Sequence, residues 1–489
     1  MPEFLKINAK DNVAVALEDI KAGFSENGIT ALSDIPKAHK ILLCDLKAGD
    51  NVIKYGCPIG HITEDTPKGA YVHEHNLSTN LRTAPTYEYA GDTDYSPKGS
   101  DLTFDGYVRG DGRVGVRNEI WIIPTVGCVN KTAERLAKLG NDLISDGCDG
   151  VFAYTHPFGC SQLGDDFENT QNILASLVKH PNAGGVLVLS LGCENNNLGV
   201  FKPYLDNIDE DRVKFLCTQE VEDEIEVGKS LLLEIYDAIK YDKRRSVGIE
   251  NLVVGYKCGG SDAFSGITAN ALCGKVNELL CDANASAILT EVPEMFGAEQ
   301  LLMNRAQNRE VYDKIVSMIN DFKDYYYRND QECYENPSPG NHEGGITTLE
   351  EKSLGCIQKG GSSTVCDVLG YGEACRTKGL NLLTGPGNDI VSTTNLTASG
   401  CQIILFTTGR GTSLGAPVPT VKISSNTDLY NRKRNWIDFN AGGLIEDGDF
   451  DAAADELLKY IISVASGERT CNEKNGYKEI SIFKSGVVL

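Results

Sequence analysis

Three apolar runs in the middle of the chain end in the same short phrase: Gly127-Cys128-Val129-Asn130, Gly159-Cys160-Ser161-Gln162 and Gly192-Cys193-Glu194-Asn195. Their cysteines fall 32 and 33 residues apart, the length of a strand, a crossover helix and the loops that join them. The runs, Ile120 to Thr125, Val151 to Thr155 and Val186 to Leu191, are short and continuously apolar, which predicts strands of a parallel sheet buried on both faces. Each thiol then stands at a strand's carboxyl end, the edge where open α/β sheets place their ligands. A fourth run, Leu252 to Tyr256, leads to Cys258 65 residues beyond Cys193 and is expected to continue the series. Packing is the competing account, because free cysteine behaves as a small hydrophobe.

A chain of 489 residues is long enough for several domains. Residues 1–82 carry short strand-like pieces punctuated by Ile20-Lys21-Ala22-Gly23, Leu46-Lys47-Ala48-Gly49 and Thr66-Pro67-Lys68-Gly69, which predict a small β-rich domain. Residues 83–103 are polar, are broken by Pro85, Gly91, Pro97 and Gly99, and read as a linker. Residues 104–245 alternate strands with helical stretches and read as an α/β domain; residues 246–489 read as a second one. A late helix, about Asp451 to Ser466, puts Leu457, Leu458, Ile461, Ile462 and Ala465 on one face before Gly467. The expected fold class is multidomain α/β: a small β-rich domain followed by two α/β domains with largely parallel sheets.

Charge narrows the partners. Forty-six basic against 69 acidic residues give a net charge of −23, which argues against nucleic acid and against an anionic membrane surface. The first residues lack the apolar core of a signal peptide, and no stretch is long and apolar enough to span a bilayer. The expectation is a cytoplasmic protein whose sixteen cysteines are reduced and available for metals or chemistry. A small anionic ligand requires a local cationic cluster, and Arg109, Arg113 and Arg117, spaced by four in a glycine-rich loop, suit fork-like recognition of a carboxylate. The sequence leaves a homo-oligomer open.

Further candidates lie on either side. In His73-Glu74-His75 an extended backbone turns both imidazoles to one side, and His39 adds a third within the same small domain, as Lys54 adds a cation. His156, just before Cys160, is a candidate for proton transfer, with a capping role as its alternative. Gly385-Pro386-Gly387-Asn388-Asp389 and Thr408-Gly409-Arg410-Gly411 follow apolar runs and let backbone N–H groups approach an anion, although neither is a nucleotide fingerprint. The segment Asn336 to His342 reads as a turn-rich connection, with no role for His342.

Long segments carry a resemblance: "HKILLCDLKAGDNVIKYGCPIGHI", "VHEHN", "GDGRVGVRNEIWIIPTVGCVN", "HPFGCSQLGDD", "LGCENN", "KCGGSDAFSGITAN", "TEVPEMFGAEQLLMNRA", "NPSPGN", "GLNLLTGPGND" and "FTTGRGTSLG". From end to end the chain is similar to the altronate/galactarate dehydratase family, whose amino-terminal part is a SAF (antifreeze-like) domain. The resemblance implies a hydro-lyase that removes water from a hexonic acid, D-altronate, to give 2-keto-3-deoxy-D-gluconate in hexuronate catabolism. The alternatives are another hydroxy acid such as galactarate, or a sugar-acid-binding protein without catalysis. It also implies Fe2+, with Mn2+ as a substitute.

Two placements of iron follow: one ion on His73, His75 and His39 where the small domain meets the large ones, or an iron–sulfur cluster on Cys128, Cys160 and Cys193. The remaining expected roles are Arg113 and Arg117 on the substrate carboxylate, His156 in proton transfer, and Lys54 and Arg410 on a hydroxyl or the carboxylate, with Lys54 as the catalytic acid at C3 if the small domain closes over the substrate.

Overall fold

The computed structural model describes residues 3–81 and 86–489. The amino-terminal domain is built from short antiparallel strands. One sheet runs Phe4–Leu5, Val13–Ala16, Lys40–Leu42, Tyr71–Val72, and another Asn51–Lys54, Cys57–Ile62, Leu77–Ser78. The Lys-Ala-Gly and Pro-Lys-Gly turns explain how so small a domain holds its loops. Gly23, Gly49 and Gly69 adopt φ of 85°, 92° and 86°, left-handed values that cost glycine least. Aspartates cross-brace these turns, Asp34 accepting from Ala22 N–H, Asp65 from Ala48 N–H and Asp45 from Lys68 N–H, and Asp19 does the same for a fourth turn through Lys37 N–H.

The second domain holds a parallel sheet in the order Val151–Ala153, Glu119–Pro124, Ala183–Ser190, Val213–Cys217. Ile120, Trp121, Ile122 and Ile123 are fully buried, as continuous apolar runs between two helical layers must be. Helices Asn130–Leu143, Gly164–Val178 and Glu224–Ile239 form those layers.

The carboxyl-terminal domain is organised on seven parallel strands in the order Val365–Leu369, Gly379–Leu383, Ser286–Leu289, Val253–Cys258, Ile403–Thr408, Thr420–Ser424, Phe439–Asn440. This corrects one expectation. The run ending in Cys258 does not continue the Gly-Cys series; it is the central strand of a different sheet. From it the chain first builds toward one side and later, at Ile403–Thr408, toward the other. The carboxyl ends of these two neighbours therefore mark the topological switch point, where such sheets open a crevice. The late helix runs Phe450–Ala465, with Leu457, Leu458, Ile461 and Ala465 buried and Ile462 half-buried; Gly467 follows at φ 118°.

The expected linker straddles residues 82–85, which lie outside the described residues, as does the boundary drawn at 82/83. From residue 86 the chain has no regular structure up to Thr103, yet it is strapped to the carboxyl-terminal domain. Tyr87 donates to Glu299 at 2.9 Å, Tyr95 to the Cys281 carbonyl at 3.0 Å, and Lys98 pairs with Asp282 at 2.6 Å. Two parts of the chain then meet in a small antiparallel sheet, where Thr103–Val108 pairs with Arg245–Gly248. Among the described residues no helix is long and apolar enough to cross a membrane.

Candidate active site

The crevice of the seven-stranded sheet is lined by buried charge. Cys258 ends its strand; Glu291 and Glu294 follow Ser286–Leu289; Cys356 ends the helix Leu349–Cys356. One donor atom from each of these four buried residues lies within 4.8 Å of the others. Three ammonium groups surround them. Lys257 contacts Glu291 and lies 2.8 Å from Asp389; Lys359 is 2.7 Å from Glu291 and 3.0 Å from the Cys356 sulfur; Lys352 is 2.9 Å from Glu294.

Burial of that many charges is tolerable only because each faces an opposite one. Burial alone would push the Glu294 carboxyl up, but Lys352, Lys257 and Lys359 hold it down at about 2. Burial likewise opposes the ammonium forms of Lys257 and Lys359, and the facing anions more than reverse it, so both are raised well above the usual range. The Cys356 thiol is raised too, by its hydrogen bond with Cys258, 3.9 Å away, and by burial.

The amino-terminal domain closes this crevice. Lys54 and Lys40 reach across to Glu351 at 2.7 and 2.8 Å, all three side chains essentially inaccessible. Lys40 also donates to the Gly345 carbonyl at 2.8 Å and the Thr347 hydroxyl at 2.5 Å. A narrow cavity, about 10 Å³, lies between Lys54 and Tyr55 on one side and Cys258, Ser261, Asp262 and Lys352 on the other. That is room for about one water. Asp262 ties the mouth together, accepting from Ser265 and Ser425 hydroxyls, each at 2.8 Å, and from Asn426 at 3.0 Å. Arg410 stands at the same mouth, half-exposed, 2.9 Å from Glu343.

Several expected site residues do other work. His39 and His73 do meet, with ring centroids 4.9 Å apart at the domain seam, and their ring nitrogens face main chain and neighbouring side chains. His39 donates through Nε2 to the Glu343 carbonyl at 3.3 Å while Nδ1 accepts the Tyr71 hydroxyl at 2.7 Å, and His73 donates to the His342 carbonyl at 3.0 Å. Burial lowers both imidazoles, His39 to about 4. They fasten the small domain to the 342–343 segment, while His75 is exposed against Tyr71.

His156 is buried with both ring nitrogens taken by main chain: Nε2 donates to the Pro124 carbonyl at 2.8 Å and Nδ1 accepts from Phe158 N–H at 3.2 Å. That geometry leaves no nitrogen for proton transfer, and the bracing alternative stands. Arg117 is buried, pairing with Glu473 at 2.6 Å and donating to the Val116, Val464 and Glu468 carbonyls. Arg113 lies half-exposed on Asp111 at 2.5 Å. Neither guanidinium faces the crevice described here. Cys128, Cys160 and Cys193 are exposed on the second domain, apart from this pocket.

Sequence reasoning missed Lys257, Glu291, Glu294, Glu351, Lys352, Cys356 and Lys359. A signal existed for one. Lys257 interrupts the apolar run Val253 to Cys258, and an ammonium inside a fully buried strand requires a buried anion as partner.

Comparison with known proteins gives this pocket its context. The profile "D-galactarate/Altronate dehydratase, C-terminal" matches residues 249–488, "D-galactarate dehydratase/Altronate hydrolase, second domain" residues 106–240, and "Altronate/galactarate dehydratase SAF domain" residues 2–80. The chain is 52% identical to the altronate dehydratase of Bacillus subtilis (strain 168) and 49% identical to that of Escherichia coli (strain K12), with all of both chains covered in each case. It is 31% identical to the galactarate dehydratase (L-threo-forming) of Escherichia coli (strain K12), over 99% of this chain and 97% of that one. With all three domain profiles in order and full-length relatives at about half identity, the chain belongs to the altronate/galactarate dehydratase family.

Proposed function

We propose that the protein is a hydro-lyase that converts D-altronate to 2-keto-3-deoxy-D-gluconate, and that the crevice between the SAF domain and the seven-stranded sheet is where it acts. The carrying observation is the buried Cys258, Glu291, Glu294, Cys356 group beneath the cavity walled by Lys54 and Lys352. Altronate is favoured over galactarate because the altronate-acting relatives are 52% and 49% identical and the galactarate-acting one 31%.

The donor set fits a divalent transition ion. Two thiols and two carboxylates form a borderline set that suits Fe(II) better than Mn(II); binding displaces the thiol protons and the Lys359–Cys356 contact. When bound, such an ion supplies Lewis acidity toward the carboxylate and 2-hydroxyl of a hydroxy acid. Around it, Lys352 presents positive charge to the substrate carboxylate. Burial would lower Lys54, but the facing Glu351 raises it instead, so Lys54 stays protonated and serves as an acid, the role required at a departing C3 hydroxyl. A cavity of about 10 Å³ does not admit a hexonate, so entry requires the Lys54–Tyr55 hairpin to withdraw from Lys352.

The test is an anaerobic assay on D-altronate with and without Fe(II) and thiol, following the 2-keto-3-deoxy acid, with galactarate in parallel. Iron-dependent product from altronate supports the reading. Turnover of galactarate alone, or tight altronate binding without product while iron is bound, overturns it.

A further inference from the structure

Four of the sixteen cysteines are exposed, and three of those four are Cys128, Cys160 and Cys193. Free cysteine is among the most buried residue types, so packing, the competing account of the Gly-Cys series, does not explain these three. Each follows a glycine beyond the carboxyl end of one of three adjacent strands of the second domain's sheet.

The loops that carry them are stitched to one another. Gly127 N–H donates to the Phe158 carbonyl at 2.9 Å, and Asn196 N–H to the Gly159 carbonyl at 3.0 Å. The Thr125 hydroxyl donates to Glu194 at 2.6 Å. The Asn195 side-chain oxygen accepts from Ser161 N–H at 2.9 Å and from the Cys160 thiol at 3.4 Å. Gly159, at φ 99°, passes so close to the first loop that a Cβ there would lie 1.9 Å from the Thr125 carbonyl oxygen. The three thiols are thus carried on one interlocked rim that leaves them facing solvent. Gln219, from the next strand end, donates to the Cys193 sulfur at 3.3 Å.

The chemistry of the rim selects its ligand. A single tetrahedral ion gathers its donors closely, as the Cys258 group does within 4.8 Å, and these three sulfurs are not so gathered. A cluster with bridging sulfides spans a wider triangle of thiolates. A fourth thiol, Cys217, ends the next strand but is half-buried and turned to the Leu191 carbonyl at 3.5 Å, so ligation by the three exposed thiolates leaves one iron without a protein ligand on the open side. We propose that Cys128, Cys160 and Cys193 hold a cubane iron–sulfur cluster whose fourth iron faces solvent. This site is separate from the Cys258–Cys356 pocket and does not depend on where substrate binds. Its signature, acid-labile sulfide, is one that a mononuclear ion cannot produce.

The test uses the full chain, purified anaerobically and reconstituted with Fe(III), sulfide and excess dithiol, which supplies the two electrons a cubane cluster needs from four ferric ions. Iron, acid-labile sulfide and visible absorption are measured on the unsubstituted protein, on the triple variant Cys128→Ser/Cys160→Ser/Cys193→Ser, and on the double variant Cys258→Ser/Cys356→Ser, with circular dichroism to confirm folding. The expected result is about four irons and four sulfides per chain with a broad visible band, retained in the double variant and lost at least tenfold in the triple. Serine at three exposed positions leaves the fold intact, so that loss reports ligation. Sulfide and absorption undiminished in the triple variant, or no sulfide taken up by the folded unsubstituted chain, would overturn the proposal.

Discussion

The Lys54 ammonium lies 2.7 Å from a carboxylate oxygen of Glu351, 297 residues away in sequence, with both side chains about 1% exposed. Lys40 reaches the same carboxylate, so one anion is shared by two buried cations from another domain. Burial would push the Glu351 carboxyl up, but the two ammoniums hold it far below the carboxylate range. Removing one member of such a set costs more than the set contributes, because the survivors stay buried and uncompensated. Glu351→Gln is expected to destabilise the protein by about 3–5 kcal/mol, measured by chemical denaturation. Adding Lys40→Met and Lys54→Met to it should recover most of the loss. A single variant as stable as the unsubstituted protein would show that the domains do not depend on this pair.

Acid should destabilise the fold through histidines held neutral. Burial lowers His156 to about 4 and His180 to about 3. The folded chain thus refuses protons that the unfolded chain takes up below about 6.5. For a depressed imidazole the contribution is intact above that value and is lost as pH falls toward the folded value. Each ring should steepen the fall of unfolding free energy by about 1.4 kcal/mol per pH unit between pH 6 and 4.5. Denaturant titrations across that range should show a shallower slope in His180→Gln than in the unsubstituted protein; equal slopes would refute the assignment.

The two arginines once expected on substrate should separate cleanly. Arg117→Ala strands Glu473 and three carbonyls in the interior and is expected to cost about 3–5 kcal/mol of stability. Arg113→Ala removes a surface pair with Asp111, which contributes about 0–1 kcal/mol, and should leave both the unfolding midpoint and KM for D-altronate in place. A raised KM in a folded Arg113→Ala protein would return that residue to the substrate site.

Ion binding at the Cys258 group should release protons. Hydrogen bonding with Cys258 and burial both raise the Cys356 thiol, so an ion competes with a proton there and its affinity should fall as pH falls. Titration of Fe(II) against a chromophoric chelator should show weaker binding at pH 6.5 than at pH 8. Cys356→Ser should weaken it at least about tenfold. An affinity indifferent to both changes would place the ion elsewhere.

The sequence made the second domain's sheet legible because its strands announce themselves locally: Ile120 to Ile123 are apolar in an unbroken run, and such runs are buried wherever the chain puts them. It did not reveal that Cys258 belongs to another sheet, since a run's composition does not say which neighbour it pairs with. It hid the strand Val213–Cys217, which opens on a charged stretch and carries Lys214. It hid the pocket for a deeper reason. Glu291, Glu351 and Lys359 look like surface residues until their counter-charges are in place, and Lys40 and Glu351 meet across 311 residues. Burial of a charge is a property of the pair, so no local window contains it.

The strap between the first two domains has a kinetic consequence. Asn80 N–H is bonded to Glu350 and Tyr87 to Glu299, so six residues, seven Cα-to-Cα steps, join two anchored points on the same body. A chain of that length reaches no farther than about 25 Å. The SAF domain, when it leaves Glu351, therefore remains tethered at an effective concentration in the millimolar range. Reclosure is a first-order event, independent of protein concentration, and dilution cannot drive the small domain off its crevice.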